Sequence, residues 1–320
     1  MKAIVNHKYG SPDVLELQDV EKPKPRQDEV LVKIHAASAN PLDWHFMRAD
    51  PFFMRLIAGF LKPRNNILGA DIAGKVEAVG KNVTQFQPGD EVYGDIHNHG
   101  FAEYVCITEG NLALKPDNMS FDEAAAVPVA GLTALQCLRD QAQIQAGQKV
   151  LINGASGGVG TYAVQIAKSF GAEVTGVCSK RNVDMVRSIG AEYVIDYTNE
   201  DFTRTGQQYD LILDNVGNRS LSDMKRILGP KGIYLLNTYS PALMMQLTFQ
   251  SKNGGQTMRN SAITNANQND LLFLKELIEE GKVVSVIDRC YPLSETPEAI
   301  QYLGEGHARG KVIITLEKYL

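Results

Sequence analysis

The stretch Lys149–Gly160, KVLINGASGGVG, constrains this chain more than any other: an apolar run passes straight into a glycine-rich turn, which opens an amphipathic helix. Val159, Ala163, Ile166, Ala167 and Phe170 recur at helical spacing, and Gly171 stands where a left-handed C-terminal cap belongs. Strand, glycine turn and helix in that order make the phosphate-holding corner of a dinucleotide fold. Glycine there serves a tight turn, a close approach of backbone to pyrophosphate, and packing of helix on strand. Gly157 and Gly160 fit the second and third roles, while Ala155 stands at the first glycine of the usual G-x-G-x-x-G. The N–H groups and positive dipole end of such a helix suit a phosphate.

The surroundings agree with that corner. From about Ala124, apolar runs alternate with amphipathic helices, the pattern of a parallel sheet covered on both faces. The strand candidates are KVLIN, AEVTGVC, EYVIDY, YDLILDNV and GIYLLN. Asn182 is placed to cap a helix with Val183, Val186 and Ile189 on its apolar side and Gly190 at its end. Ahead of Ser120 the pattern is different: KAIVNH, VLELQDV, EVLVKIHAASA, DIAGKVEAVG, DEVYGD and FAEYVCIT read as short strands of an all-β domain, punctuated by Pro, Gly and Asp. Lys22–Arg26 reads as a solvated linker. Beyond a polar stretch near Ser251–Asn269, a helix at about Asp270–Glu280 and the β-like runs VVSVIDRCYPL and KVIITL close the chain, and are expected to return to the first domain.

At about 150 residues per domain, 320 residues hold two domains, and 44% hydrophobic residues supply two cores. Thirty-two basic against thirty-seven acidic side chains leave a net charge of −5, which gives nucleic acid no footprint to bind. No run approaches eighteen apolar residues and the first residues lack a signal-peptide core, so a soluble cytoplasmic protein with no membrane partner is expected. Cys106, Cys137, Cys178 and Cys290 form no CxxC pair and read as reduced, buried thiols.

The end of the second dinucleotide-domain strand speaks to the cofactor. An NAD enzyme places an acid there for the ribose 2′-hydroxyl. This chain has Cys178, Ser179, Lys180 and Arg181, a hydroxyl and two cations suited to a 2′-phosphate, so NADPH is favoured over NADH.

Further motifs carry a family resemblance over nearly the whole length. Asn40-Pro41-Leu42-Asp43, LGADIAGKVEAVG at Leu68–Gly80, PGDEVYG at Pro88–Gly94, AGLTAL at Ala130–Leu135, ASGGVGTYAVQIA and DNVG at Asp214–Gly217 together resemble the zinc-independent quinone oxidoreductase and enoyl (alkenal) reductase group of the medium-chain dehydrogenase/reductase superfamily. The resemblance implies an α/β fold: a GroES-like β domain over 1–125, a Rossmann doubly wound parallel sheet over 126–266, and a segment 267–320 completing the first domain. It implies a homodimer, with substrate in the cleft between domains. Ser156, Gly157, Gly158, Val159 and Gly160 would then hold pyrophosphate. Ser179, Lys180, Arg181 and Tyr197 would surround the 2′-phosphate. Asn215 and Val216 would line the nicotinamide, Thr133 would touch the phosphate or ribose on that side, and Asn237 and Lys311 are further contact candidates.

Zinc-dependent relatives carry a Cys after the third strand, a Gly-His-Glu ahead of the next, and a four-cysteine lobe. The corresponding stretches here are Asn40-Pro41-Leu42-Asp43 and Leu68-Gly69-Ala70-Asp71, which supply no tetrahedral N/S set. His97 and His99, with Asp95, are the only local metal-like cluster and lack a third His or Cys. Without a Lewis acid, conjugate hydride transfer to a small hydrophobic enal, enone or quinone is the natural chemistry. Asn40 is the first candidate to donate to the substrate carbonyl, with a capping or turn role before Pro41 as the alternative, and Asp43, His45 and His99 are secondary candidates for orientation or proton delivery. The apolar run Trp44–Leu61, including Phe52 and Phe53, reads as a greasy cleft wall or lid, a core-packing helix or a dimer contact. Two other readings stand beside the reductase: a non-catalytic NADPH-binding or sensing protein, and a metal-free alcohol or aldehyde dehydrogenase.

Overall fold

The computed structural model describes residues 1–51, 54–249, 255–261 and 265–316, and the chain divides into two compact units. The first comprises Met1–Leu132, Asn265–Glu279 and Ser285–Leu320; the second comprises Thr133–Thr264 and Glu280–Val284.

The first unit opens with an antiparallel ribbon of β1 (Lys2–Val5) and β2 (Glu16–Asp19). There follow β3 (Glu29–Ala39), α1 (Pro41–Arg48), α2 (Met54–Ala58), β4 (Asp71–Val79), β5 (Glu91–Asp95), β6 (Tyr104–Thr108), β7 (Leu112–Leu114), α3 (Phe121–Ala125) and α4 (Pro128–Leu135). α4 continues directly into a π-helical turn, Gln136–Gln141.

In the second unit come β8 (Lys149–Asn153), α5 (Gly158–Ser169), β9 (Glu173–Cys178), α6 (Val183–Ser188), β10 (Tyr193–Asp196), β11 (Tyr209–Asp214), α7 (Leu221–Ile227), β12 (Leu228–Leu236), α8 (Pro241–Phe249) and β13 (Thr257–Asn260). Their sheet runs β10-β9-β8-β11-β12-β13 with every pairing parallel. That is the Rossmann doubly wound order, with the direction of winding reversing between β8 and β11; in such sheets a crevice opens at the carboxyl ends of the strands at that point. The strands flanking the switch are buried through both faces, Val150, Leu151, Ile152, Ile212 and Leu213 being fully enclosed, which explains their unbroken apolar runs.

The chain then returns through α9 (Gln268–Glu279), β14 (Ile287–Pro292), α10 (Thr296–Gly304) and β15 (Lys311–Thr315). β15 pairs antiparallel with Ala36–Ala39 of β3 and parallel with β14. β3 is the spine of this GroES-like sheet: β4 covers one edge, and β6 and β15 share the other.

Several elements differ from the sequence reading. Part of the polar stretch near Ser251–Asn269 is the edge strand β13, TMRN, which relies on backbone pairing to β12 rather than on apolar alternation. β7, α8 and α10 had no distinct signal. Trp44–Leu61 runs from within α1 through α2. Met47 is fully buried in the first unit's core, and Trp44 packs so closely on α10 that a Cβ at Gly304 would lie 2.5 Å from its ring. Leu56, Phe60 and Leu61 are exposed, and Phe52 and Phe53 lie outside the described residues. Among the described residues no helix is long and apolar enough to cross a membrane.

Candidate active site

The glycine corner is built as a dinucleotide fold needs it, with one reassignment. Gly154, not the residue at the Ala155 position, makes the tight turn: its φ is +77°, and its N–H and that of Ala155 both donate to the Val177 carbonyl at 3.2 and 3.0 Å. The repeat Gly154-x-x-Gly157-x-x-Gly160 carried that signal. At Gly160 a Cβ would sit 2.0 Å from the Gly154 carbonyl oxygen, so only glycine lets α5 lie this close to the turn. At Gly157 a Cβ would meet only that same oxygen, at 3.5 Å, which leaves the surface beside the helix start open. Gly157 is the N-cap of the twelve-residue α5, whose first N–H groups, from Gly158, Val159 and Gly160, have no intrahelical acceptor.

Asn182 does not cap α6 through its side chain. Its amide is buried and donates to Ser156 Oγ at 2.9 Å and to Ser179 Oγ at 3.4 Å, tying the glycine turn to the end of β9. Next to it, Lys180 and Arg181 are exposed, and Tyr197 is brought alongside by its N–H donating to the Cys178 carbonyl at 3.1 Å. Sequence reading missed an acid here. Asp196, at the end of β10, is held below the usual carboxylate range by hydrogen bonds from Thr198, with smaller help from the Lys180 N–H and charge.

Across the switch point, Asp214 is fully buried and accepts from Asn153 Nδ2 (2.8 Å), Tyr234 Oη (2.9 Å) and the N–H groups of Val216 (3.0 Å) and Gly217 (2.9 Å). This carboxylate fixes the loop after β11. Asn215 Nδ2 donates to the Asn153 carbonyl at 3.2 Å, Asn237 Nδ2 donates to Asn215 Oδ1 at 2.8 Å, and Val216 is exposed beside them. Thr133 is half-buried on α4.

In the first unit, Asn40, Asp43, Asp71 and Lys311 form one buried polar cluster. Asp71 accepts from Ser38 Oγ (2.6 Å), Asn40 Nδ2 (2.9 Å), Lys311 Nζ (3.1 Å) and the Val129 N–H at the start of α4 (2.7 Å). Lys311 Nζ also donates to Asn40 Oδ1 at 2.6 Å, and Asn40 Nδ2 to the Ser38 carbonyl at 3.3 Å. Since Lys311 can only donate and Asp71 accepts, the orientation of the Asn40 amide is fixed and both its hydrogens point into the protein. Asn40, expected to donate to a substrate carbonyl, has both amide hydrogens engaged within the protein, and Lys311, expected at the cofactor, has its ammonium engaged in this cluster. Asp71 and Ser38 were missed; the one trace of Asp71 in the sequence is an acid opening an apolar strand.

Asp43 accepts from the Asn40 N–H at 2.8 Å and the Gly69 N–H at 3.0 Å, so it locks the entry to α1 onto the Gly69 turn. Burial pushes its carboxyl up to about 7; the two N–H groups and Lys311 pull against the rise, and Asp71 adds to it. The folded protein thus takes up a proton at Asp43 between the ordinary value of 3.8 and about 7, where the unfolded chain has lost it. Stability contributed by this group is greatest below that window and falls as pH rises through it. Urea midpoints measured from pH 4 to 8 are expected to fall more steeply for the natural protein than for Asp43→Ala; parallel curves would refute the linkage.

His45 Nδ1 lies 2.9 Å from the Asp50 carbonyl, toward the far end of α1 from Asp43. His97 pairs with Asp95 at 3.3 Å, which raises its pKa, whereas burial lowers that of His99. Among the described residues no group of three or more His, Cys, Asp or Glu is arranged to hold a metal.

Residues 26–136 match the alcohol dehydrogenase GroES-like domain and residues 189–314 the zinc-binding dehydrogenase family. With the sheet order and the glycine corner, these define an oxidoreductase of the medium-chain dehydrogenase/reductase superfamily that uses a nicotinamide cofactor. A mitochondrial NAD(P)H oxidoreductase of Mus musculus is 33% identical over 99% of this chain and 89% of its own. A 2-methylene-furan-3-one reductase of Solanum lycopersicum is 35% identical over 98% and 79%. The solved structure of the quinone oxidoreductase of Coxiella burnetii superposes with a TM-score of 0.89 at 33% identity, covering 99% of each chain. The chain belongs to the quinone oxidoreductase group of this superfamily. The zinc in the matched domain's description does not fit the residues present: Ala70 stands where a His ligand would, Asn40 opens the stretch that would carry the Cys, and Asp71 is already paired with the Lys311 ammonium. No step is derived through zinc.

Proposed function

We propose that this protein is an NADPH-dependent reductase that delivers hydride to a quinone or an α,β-unsaturated carbonyl compound without zinc. The observation that carries the cofactor choice is the end of β9, where Ser179 and the exposed Lys180 and Arg181 follow the strand, the Tyr197 N–H is bonded to the Cys178 carbonyl, and Asn182 joins Ser179 to the glycine turn. The N–H groups of Gly158, Val159 and Gly160, with Ser156 beside them, hold the pyrophosphate at the open face beside Gly157. Asn215, Val216 and Asn237 face the nicotinamide, and Thr133 the neighbouring ribose or phosphate. Bound there, the nicotinamide supplies the hydride.

The chain's own contribution is orientation. Asn40, Asp71 and Lys311 hold the end of β3 and the start of β15 together, and Asp71 caps α4, the helix that carries Thr133. With both Asp43 oxygens engaged by backbone N–H groups, solvent supplies the proton. The relatives named for quinone and for methylene-furanone reduction support the substrate class.

The test is NADPH oxidation with quinones, enals and enones, in parallel with Lys180→Ala/Arg181→Ala. Losing charge-assisted contacts to a phosphate is expected to raise KM for NADPH about tenfold or more while leaving KM for NADH nearly unchanged. Equal efficiency with the two coenzymes in the natural protein would overturn the cofactor reading. Silence across the substrate panel with intact NADPH binding would favour a sensing protein.

A further inference from the structure

The carboxyl edge of the Rossmann sheet carries a side-chain chain whose direction is dictated by the protein. Asn215, Asn237 and Ser261 are the first residues beyond β11, β12 and β13, and each continues the ladder: the Asn215 N–H donates to the Asn153 carbonyl (3.1 Å), the Asn237 N–H to the Asp214 carbonyl (2.8 Å) and the Ser261 N–H to the Leu236 carbonyl (2.9 Å). Their side chains are thereby set side by side. Ser261 Oγ donates to Asn237 Oδ1 at 3.0 Å, Asn237 Nδ2 to Asn215 Oδ1 at 2.8 Å, and Asn215 Nδ2 to the Asn153 carbonyl at 3.2 Å.

The polarity follows from the far end. A backbone carbonyl only accepts, so Asn215 must turn its NH2 to Asn153 and its oxygen to Asn237. Asn237 must then turn its NH2 to Asn215, which leaves its oxygen to be satisfied by a donor. Ser261 is that donor. With it, every polar group of the chain is satisfied; without it, the Asn237 oxygen loses its donor and the Asn237 amide can turn away from Asn215, whose own direction the Asn153 carbonyl still sets.

We propose that Ser261 is a positioning residue for the nicotinamide end of the coenzyme: it locks the Asn237 amide, which in turn braces Asn215, the amide whose direction the Asn153 carbonyl sets at the switch point of the sheet. This rests on the coenzyme site proposed above. Ser261 touches neither the adenosine end, where Ser179 and Lys180 lie, nor the glycine turn. Its effect is therefore confined to ligands that carry a nicotinamide.

The experiment is equilibrium binding, by protein fluorescence or calorimetry, of NADPH and of 2′,5′-ADP to the natural protein, Ser261→Ala, Ser261→Thr and Asn237→Ala, with thermal midpoints alongside. Loss of one hydrogen bond that orders the site is expected to weaken NADPH about three- to tenfold in Ser261→Ala and at least as much in Asn237→Ala. Affinity for 2′,5′-ADP stays unchanged, and Ser261→Thr, which keeps the hydroxyl, restores NADPH binding. Variants that match the natural protein for NADPH, or that weaken both ligands equally, would overturn the role of Ser261 alone. A natural protein that binds neither ligand would overturn the coenzyme site itself, and this inference with it.

Discussion

Lys311→Met is expected to destabilise the protein by about 3–5 kcal/mol, the usual cost of removing one partner from a buried charge pair. Lys311 is 3% exposed and Asp71 not at all, so the remaining carboxylate would keep no cation. The other donors to Asp71, from Ser38, Asn40 and Val129, are neutral and leave its charge uncompensated. Asp71→Asn is expected to cost a similar amount, because it strands a buried ammonium with the Asn40 oxygen as its remaining partner. The double variant Asp71→Asn/Lys311→Met removes both charges while keeping an oxygen for the Val129 N–H. Its loss should be well below the sum of the single losses. Chemical denaturation of the four proteins decides this, and simple additivity would show that the pair is not coupled as the geometry requires. The cluster ties the last strand of the chain to β3 and α4, so the single variants should also lose protection from hydrogen exchange at both the end of β3 and the start of α4.

How much of this was legible in the sequence depends on the distance over which each feature is made. β8, β9 and β11 announce themselves because each is buried through both faces and carries a near-continuous apolar run, and β3 and β4 because apolar residues recur at their buried positions. The glycine corner is equally local, and even its one misassignment, Ala155 for Gly154, lay a single residue away. The Asp71–Lys311 pair joins residues 240 positions apart, and no spacing rule connects them. The same holds for Asn40: its residue type suited a donor to substrate, but one amide hydrogen is taken by the nearby Ser38 carbonyl and the other by Asp71, which no local spacing connects to it. β13 was invisible for another reason. An edge strand of four residues, TMRN, is held by backbone bonds that any side chain permits, so Ser261, which depends on that strand for its position, carried no signal either.

Gly160→Ala should lower stability by about 2 kcal/mol and abolish measurable coenzyme binding, whereas Gly157→Ala should leave the fold nearly intact and still weaken NADPH more than tenfold. The two glycines are three residues apart in one turn, and the contrast comes from what a methyl group would meet. At position 160 it would lie 2.0 Å from the Gly154 oxygen and 2.9 Å from the Ala155 carbonyl carbon, both backbone atoms that no side-chain rotation can move aside. Either α5 must lift from the turn or the turn must open, and overpacking of this kind costs about 1–3 kcal/mol or more. The gain in helix propensity, about 1 kcal/mol, offsets only part of it. At position 157 the backbone is extended, with φ −85°, and the nearest atom to a new methyl is 3.5 Å away, so the folded chain accepts it at the modest cost of a poorer N-cap. That methyl would instead stand on the open face beside the helix start, where the close approach of a pyrophosphate needs bare backbone. Thermal midpoints and NADPH titrations on the two variants separate the packing role from the binding role. If Gly157→Ala bound NADPH as tightly as the natural protein, the phosphates could not lie against this turn, whatever the stability of the fold.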